Sequence, residues 1–473
     1  MTATASSRPA AMIPVPHGSG ARAARQRWKF AAIGVIWGTS LSIAVIWVLG
    51  GGVQALAAGP ADALDSLGRI TGLASANLLL YQVLLMARVP VFERGLGRDA
   101  ITRLHRQSGF WSFWLLLAHI ALLVLGYAEA ARIDPLTQLW SFVWSYPGML
   151  LATVGTLLLV LVVATSGRRS RRRMRYESWH LLHLYGYLGV GLAVPHMLWT
   201  GADFSGAPIA SAYWWGLWLL AATSVIVWRI AIPLRRSLRH GLRVESVRPD
   251  GERGVEVCVH GRALHGLRAL PGQFFVWRFL DGPGWTRGHP FSLAAAPAAE
   301  HLVLAARTAG DGTRRLATMR PGTRVLVEGP YGTMTGRARI EGRGVLMLGA
   351  GAGVAPLVAL LEGEAYGPGE ATLVTRDHRG AEALRSQEIH RLRLERGVVH
   401  FALDGPRAQR GPTWVPAQYA DWSGGELLRY LRPDLLDCDV YVCGPAPWMT
   451  ALLRDLRAAG VSADRLHHES FTI

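Results

Sequence analysis

The first half of the chain alternates long apolar runs with short polar loops. Six of these runs are close to the roughly 20 residues that a helix needs to cross a bilayer. They cover residues 28–49, 70–91, 105–127, 147–166, 179–200 and 213–234. The pattern therefore predicts an all-α, multi-pass domain over residues 28–236 that contacts the lipid bilayer. It follows residues 1–27, which are basic, rich in Ala, Ser and Pro, and predicted to be a disordered leader.

The loops between the runs differ in charge. Arginine is concentrated at residues 94–103, 168–175 and 235–239, whereas the intervening loops hold mainly Asp and Glu. Positive loops stay on the cytoplasmic side, so we expect a plasma-membrane protein with both termini in the cytoplasm. The net charge of +17 comes almost entirely from arginine, with Lys29 as the single lysine. No nucleic-acid-binding motif accompanies this charge, and nucleic-acid binding is not expected.

Two of the apolar runs each carry a pair of histidines. His105 and His119 lie on the third run, and His183 and His196 lie on the fifth. Both runs are expected to cross outward, which pairs His105 with His183 near the cytoplasm (the inner pair) and His119 with His196 near the outside (the outer pair). Fourteen residues of helix span about 21 Å, which suits two stacked haems. Ionisable groups inside membranes usually mark function, so the four histidines are predicted to be axial ligands of two b-type haems.

A single membrane histidine could instead only hydrogen-bond a neighbouring helix. The histidines of the fifth run are also less regularly spaced, because thirteen residues rotate His196 by about 140° from His183 on an ideal helix. Pro195 could kink or unwind the helix enough to correct this aim. His180, one turn before His183, is interpreted as an interfacial residue.

After residue 240 the apolar positions alternate with polar ones, as in residues 255–260. This period predicts antiparallel strands, and the Gly- and Pro-rich turns between them predict a small β-barrel over residues 241–337. It contains the motif His289-Pro290-Phe291-Ser292, which places an aromatic ring and a hydroxyl at strand spacing. Taken alone, the motif is equally compatible with an ordinary strand entry.

A candidate phosphate site follows in the same segment. Arg307 precedes a predicted helix that opens at Gly310, Gly312 and Thr313. Backbone N–H groups at a helix start, together with a guanidinium, suit a pyrophosphate.

The last segment, residues 341–473, alternates strands and helices, which predicts an α/β domain with a parallel sheet. An apolar strand leads into Gly349, Gly351 and Gly353, and Pro356 lies in the first turn of the helix that follows. Strand, glycine turn and helix form a nucleotide-binding context, although any tight strand-to-helix turn can use glycines. The next strand ends at Arg376, where an arginine, helped by Arg379, suits the 2′-phosphate of NADPH. A solvated charged turn is the alternative.

These motifs, in this order and with this histidine spacing, resemble the ferric reductase and NADPH oxidase superfamily, with its bacterial members as the nearest likeness. The resemblance covers about Gly72 to the C-terminus and includes the motif Cys443-Gly444-Pro445. It implies that the barrel and the α/β domain form a ferredoxin-NADP reductase type module that binds FAD and NADPH (or NADH).

The resemblance also implies roles for individual residues. Phe291 and Ser292 would contact the flavin, while Arg307, Gly310 and Thr313 would hold the FAD pyrophosphate. The glycine turn would hold the nicotinamide nucleotide, which Cys443, Gly444 and Pro445 would border. Phe471 would shield the flavin face, so that Ser292, Cys443 and Phe471 are the expected catalytic residues.

The expected function is a transmembrane oxidoreductase. Electrons from cytosolic NAD(P)H would pass through FAD and two haems to an acceptor outside, a ferric chelate by the closest resemblance. The alternatives are an oxidase that reduces O₂ to superoxide, and a membrane subunit that passes electrons to a partner protein. The three cysteines show no metal-type spacing, so neither an iron–sulfur cluster nor a disulfide is expected.

Overall fold

The computed structural model describes residues 19–174, 176–282, 285, 287–308, 310–339, 343–379, 383–406 and 413–470. The chain forms two compact units. One contains residues 27–230, and the other contains residues 231–473 together with the segment before Arg27. Each unit is described separately.

The first unit is helical. Its helices are α1 (Ser19–Leu49), α2 (Gly52–Ala58), α3 (Pro60–Met86), α4 (Pro90–Leu96), α5 (Arg98–Ala131), α6 (Pro135–Ser145), α7 (Met149–Ser166), α8 (Arg168–Arg173), α9 (Tyr176–Trp199) and α10 (Pro208–Ser224). A π-helical segment, Val225–Ala231, continues α10. Within the described residues, six helical stretches are long and apolar enough to cross a membrane, which confirms the predicted number of spans.

The predicted and observed helix boundaries differ most at the starts of the first and second spans. The first helix begins at Ser19, so the last part of the predicted leader is helical; residues 1–18 lie outside the described residues. The second span begins at Pro60, ten residues before the predicted start at Ile70. Proline is favoured at the first position of a helix, and the acidic and basic side chains of the added turns do not interrupt it. Arg69 therefore lies inside this helix.

Helix α3 is the central helix of this unit. In its most apolar stretch of 18 residues, 56% of the residues are buried, against 17–22% in the corresponding stretches of the other five candidate spans. The exposed faces of those five spans are apolar, as lipid contact requires. The polar groups of α3 can therefore meet other protein groups instead of lipid.

The second unit begins with α11 (Ile232–His240) and two antiparallel sheets. The strands are β1 (Arg243–Pro249), β2 (Gly254–His260), β3 (Phe274–Phe279), β4 (His289–Ser292), β5 (His301–Arg307) and β6 (Val325–Tyr331), with helix α12 (Asp311–Ala317) after β5. The sheet orders are β1-β2-β5 and β4-β3-β6. Their inner faces share a core that includes Trp277, Phe275 and Leu304.

Closure of this segment into a barrel is not shown. The two sheets share a core, but among the described residues their edge strands are joined by isolated β-bridges and not by a ladder. The bridges are Arg243 to Arg324 at one edge and Leu293 to Leu304 at the other. The predicted antiparallel strands are present, but the continuous ladder of a closed barrel is interrupted at both edges.

The rest of the unit is an α/β domain with a parallel sheet, as predicted. The strands are β7 (Gly344–Ala350), β8 (Ala371–Asp377), β9 (Val399–Asp404), β10 (Cys438–Gly444) and β11 (Leu466–Ser470), in the order β11-β10-β7-β8-β9. The helices are α13 (Val354–Gly363), α14 (Ser386–Arg396), α15 (Gly424–Leu431) and α16 (Ala446–Ala458). Strands β7, β8 and β10 are almost wholly buried, because helices cover both sheet faces.

Two ion pairs connect the antiparallel sheets to the α/β domain. Arg307 at the end of β5 contacts Asp377 at the end of β8. Arg385, before α14, contacts Glu256 of β2, and its backbone N–H donates to Asp250 at 2.8 Å. The Arg385 side chain is only 4% exposed. Breaking such a buried pair leaves a carboxylate without its counter-charge.

We predict that Arg385→Ala lowers the free energy of unfolding of this unit by about 3 kcal/mol, as expected when one partner of a buried pair is removed. The measurement is the thermal or denaturant unfolding of the full-length protein followed by its flavin fluorescence. Arg391→Ala is the control, because Arg391 is 50% exposed in its pair with Glu362. The control should cost less than about 1 kcal/mol. Equal losses in the two variants would contradict the assignment.

Candidate functional site

The structure brings the two histidines of the inner pair together, with the edge of one ring toward the other. The ring centroids of His105 and His183 are 6.0 Å apart, with the ring planes at 64°. Metal–imidazole bonds of about 2 Å on opposite sides of one ion need ring centroids about 6 Å apart. The spacing of the inner pair therefore fits two axial ligands.

The outer pair is oriented by backbone carbonyls. His119 Nδ1 donates to the carbonyl of Gly68 at 2.8 Å, and His196 Nδ1 donates to the carbonyl of Ala193. A donor bond at Nδ1 fixes the tautomer that leaves Nε2 with a lone pair, as a metal-ligating histidine requires. Both rings are thus prepared to bind a metal through Nε2.

A glycine makes room for the His119 ring. A Cβ atom on Gly72 would overlap that ring, so α3 and α5 can approach closely only because this position has no side chain. Pro195 lies within α9, which continues to Trp199, so the helix is not unwound at this proline.

The inner pair has polar and aromatic neighbours. Ser166 Oγ lies 3.1 Å from His183 Nδ1, and Gln82 Nε2 donates to the carbonyl of His105 at 2.7 Å. The Trp179 ring lies 5.0 Å from the His183 ring, and the Arg171 guanidinium lies 4.6 Å from the Trp179 centroid. These contacts place the inner pair among α3, α5, α7 and α9. The ring spacing of the inner pair and the Nδ1 bonds of the outer pair fit the predicted role of the four histidines as haem ligands.

The motif His289-Pro290-Phe291-Ser292 forms β4, which pairs with β3. His289 and Phe291 lie on one side of β4 with parallel rings, 6.0 Å between centroids and 19° between planes. Trp277 Nε1 donates to the carbonyl of Phe291 at 3.0 Å, and Ser292 is buried. A Cβ atom on Gly312 would lie 2.9 Å from the His289 ring, so the start of α12 packs against this motif. Pro290, between His289 and Phe291 in the sequence, is exposed.

The predicted phosphate residues are only partly together. Gly310 and Thr313 form the first turn of α12, where the Gly310 N–H donates to Thr313 Oγ1 at 3.0 Å. Arg307 instead extends toward the α/β domain, where it contacts Asp377 and passes beside Gly351. Its guanidinium thus lies beside the glycine turn that joins β7 to α13.

The second glycine turn joins β7 to α13. Gly351 has a φ of +56°, which favours glycine, and a Cβ atom on Gly353 would overlap the carbonyl of Cys443. Gly349 packs closely against Val354, and Pro356 is buried in the first turn of α13. The turn therefore fits against the end of β10, which is the place where a nucleotide approaches the backbone in such a fold.

The strand β10 ends in Cys443 and Gly444, and Pro445 precedes α16. The Cys443 Sγ lies 3.4 Å from the carbonyl of Glu469, and burial raises the pKa of the Cys443 thiol well above its ordinary value. Cys443 is therefore a neutral thiol, suited to contact a ring and not to act as a nucleophile. Phe471, the third expected catalytic residue, lies outside the described residues.

The end of β8 borders an open cavity of about 460 Å³ lined by Glu252, Arg253, His378 and Arg379. Arg376 does not line this cavity; its side chain is buried and Nη1 donates to the carbonyl of Asp377. Sequence reasoning placed Arg379 second to Arg376, and it missed Arg253. No local motif marks Arg253, because its position at the cavity depends on the β1–β2 turn folding against the α/β domain.

Comparison with known proteins separates the two halves of the chain. Residues 71–194 match the family described as ferric reductase like transmembrane component. The reductase component of an alkene monooxygenase system from Xanthobacter autotrophicus is 34% identical over 43% of this chain and 62% of its own length. The electron transfer subunit of dihydroorotate dehydrogenase B from Shouchella clausii is 31% identical over 42% of this chain and 70% of its own length.

A solved structure, the flavohem-like FAD/NAD binding domain of nitric oxide dioxygenase from Vibrio cholerae, is 18% identical, with a TM-score of 0.39. It covers 49% of this chain and 99% of that domain. The chain spans about half to two thirds of the length of most of the curated relatives it matches. The chain thus combines a membrane segment that matches the ferric reductase-like transmembrane family with a ferredoxin reductase-type electron-transfer module.

Proposed function

We propose that this protein passes electrons from cytosolic NAD(P)H to an acceptor outside the membrane, and that the acceptor is ferric iron in a soluble chelate. The observation that carries the proposal is the presence of two histidine pairs in the same chain as a reductase module. The inner pair has a ring spacing suited to haem, and the outer pair has Nδ1 bonds that leave Nε2 for a metal. When bound, FAD converts a two-electron donor into one-electron steps, and the haems carry single electrons across the membrane.

The residues of the chain would hold and orient these groups. His105 with His183, and His119 with His196, would each hold one haem. Each pair takes one ligand from α5 and one from α9. On α5 the two ligands are about 21 Å apart along the helix, so the haems would be stacked across the hydrocarbon core.

The soluble residues would bind the two dinucleotides. The β4 motif and the start of α12 would take FAD, and the turn at Gly351 and Gly353 would take the nicotinamide nucleotide. Cys443, buried and neutral, would border the nicotinamide and exclude water from it. The arginine-rich loops would keep this module in the cytoplasm.

The preferred donor would be NADPH. A 2′-phosphate carries about two negative charges and is best bound by guanidinium groups. Arg379 and Arg253 both line the cavity beside β8, whereas Arg376 is buried next to it. We therefore extend the predicted role of Arg376 to a set in which Arg379 and Arg253 meet the phosphate and Arg376 supports the strand end.

The first test of the function is haem content and sidedness. Purified protein should contain two haems per chain by pyridine haemochrome assay, and His119→Leu should contain one. In sealed right-side-out vesicles loaded with NADPH, the wild type should reduce an impermeant ferric chelate added outside. His196→Leu should abolish this reduction because it removes the outer haem, while NADPH still bleaches the flavin.

Each arm has an outcome that would contradict the proposal. Flavin-replete protein from haem-sufficient cells that contains no haem would refute haem binding. External reduction at the wild-type rate in His196→Leu would refute exit through the outer haem. Superoxide formation in place of chelate reduction would make O₂ the acceptor.

A second prediction concerns the nucleotide turn. Gly353→Ala should lower NADPH affinity at least tenfold, because the added methyl group overlaps the Cys443 carbonyl and moves the turn away from β10. FAD content should stay near the wild-type value, since Gly353 lies on the other dinucleotide turn. Gly425→Ala is a control in α15, where the backbone is helical and the nearest atom to an added Cβ would be Arg429 Nη1 at 3.7 Å. Nucleotide affinity is measured by equilibrium titration, and unchanged affinity in Gly353→Ala would contradict the assignment.

A third prediction separates the arginines at the end of β8. Arg379→Ala should raise the KM for NADPH roughly tenfold and leave the KM for NADH nearly unchanged, because a charge-assisted bond to the phosphate is lost. Arg376→Ala should raise the KM for NADPH less than Arg379→Ala does. Steady-state kinetics with a soluble acceptor provides the measurement. Equal effects of Arg379→Ala on both cofactors would refute a 2′-phosphate contact.

A further inference from the structure

A buried ion pair lies near one end of the central helix α3. Arg69 Nε donates to Asp203 Oδ2 at 3.1 Å, and Arg69 Nη2 contacts Asp203 Oδ1. Nη2 also donates to the carbonyl of Gly50 at 2.8 Å, and Asp65 lies 4.0 Å from Nη1. The Arg69 and Asp203 side chains are 13% and 5% exposed, so solvent screens their charges weakly.

The pair joins α3, whose backbone binds the His119 ring, to the turn after α9, the helix that carries His196. Arg69 directly follows Gly68, whose carbonyl accepts the His119 Nδ1–H. It also lies three residues before Gly72, so on an ideal helix it is about 5 Å away along the axis and about 60° around it. Asp203 lies in the turn that follows α9, the helix that carries His196. The ion pair is therefore anchored to both sides of the predicted outer haem site.

Stability alone does not account for this pair. The desolvation of two charges roughly offsets their attraction, so replacement of a buried ion pair by apolar residues is often neutral or stabilising. Inside a membrane helix, such charges are expensive and usually serve function. The charges of Arg69 and Asp203 lie where they can act on the outer site through a low-dielectric interior.

We propose that Arg69 and Asp203 act in opposite directions on the reduction potential of the outer haem, and that their pairing keeps this potential from shifting toward either extreme. This inference rests on the proposed function. Reduction adds one electron, and therefore one negative charge, to the haem without forming or breaking a bond. A nearby cation stabilises the reduced form, and a nearby carboxylate destabilises it. Arg69 and Asp203 are positioning residues whose opposed charges balance each other at the outer site.

The test is a spectroelectrochemical titration of both haems in full-length protein. His119→Leu, which keeps only the inner haem, assigns the two midpoint potentials. Asp203→Asn leaves the Arg69 cation without its carboxylate and should raise the outer potential. Arg69→Gln leaves the Asp203 carboxylate and should lower it. The double variant should lie between the two single variants, close to the wild type, and the inner potential should stay unchanged in all three.

Two further variants are controls. One keeps the positive charge at position 69, and the other breaks an ion pair far from the outer site. Arg69→Lys keeps the charge and should move the outer potential less than Arg69→Gln does. Glu93→Gln breaks the buried pair of Arg88 and Glu93, 3.3 Å apart beyond the other end of α3, and should not move the outer potential. Asp203→Asn is nearly isosteric, so it tests the proposal even if Arg69→Gln fails to fold.

The outcomes separate the inference from the proposed function. Protein without two haem signals would overturn the proposed function. Two haems whose outer potential stays fixed in Asp203→Asn, or moves in the same direction in Asp203→Asn and Arg69→Gln, would overturn the role of the ion pair and leave haem binding standing.

Discussion

A polar ring inside a membrane helix needs a partner, and this need organises the helical half of the protein. An imidazole in hydrocarbon loses its water, so at least one of its nitrogens must find another group. His119 and His196 meet backbone carbonyls through Nδ1, and His183 meets a serine hydroxyl. The same bonds that offset desolvation also set the direction of Nε2. Burial and ligand orientation are therefore satisfied by one contact at each ring.

In both halves of the chain, a glycine without a Cβ atom lets a neighbouring group pack directly against the backbone. At Gly72 it lets the His119 ring lie against α3, and at Gly353 it lets a turn lie against the carbonyl of Cys443. In both places the absent Cβ is replaced by a group that belongs to the site. A glycine in such a position is sensitive to substitution because the neighbouring group has nowhere to move.

The sequence predicted what depends on periodicity and on contiguous motifs. Six apolar runs, the alternation of residues 255–260 and the strand–turn–helix around Gly351 were all found as elements of the expected type. Contacts between distant segments were not predictable. Arg69 and Asp203 are 134 residues apart in the sequence. Arg307 contacts Asp377 only when the antiparallel sheets and the α/β domain of the second unit are folded together. Closure of the barrel stays a prediction, because strand alternation does not reveal whether the edge strands pair.

Helix α5 is continuous from Arg98 to Ala131, and it carries one histidine of each pair. The spacing between the two sites is thus set by a rigid rod and not by any loop. Loops at either end of the spans can change in length over evolution without altering this spacing. A single residue inserted between His105 and His119 has a different effect, since it would turn one ring by about 100° relative to the other. An insertion or deletion between these two histidines therefore changes the relative orientation of the two rings, whereas a substitution that preserves the helix leaves their spacing unchanged.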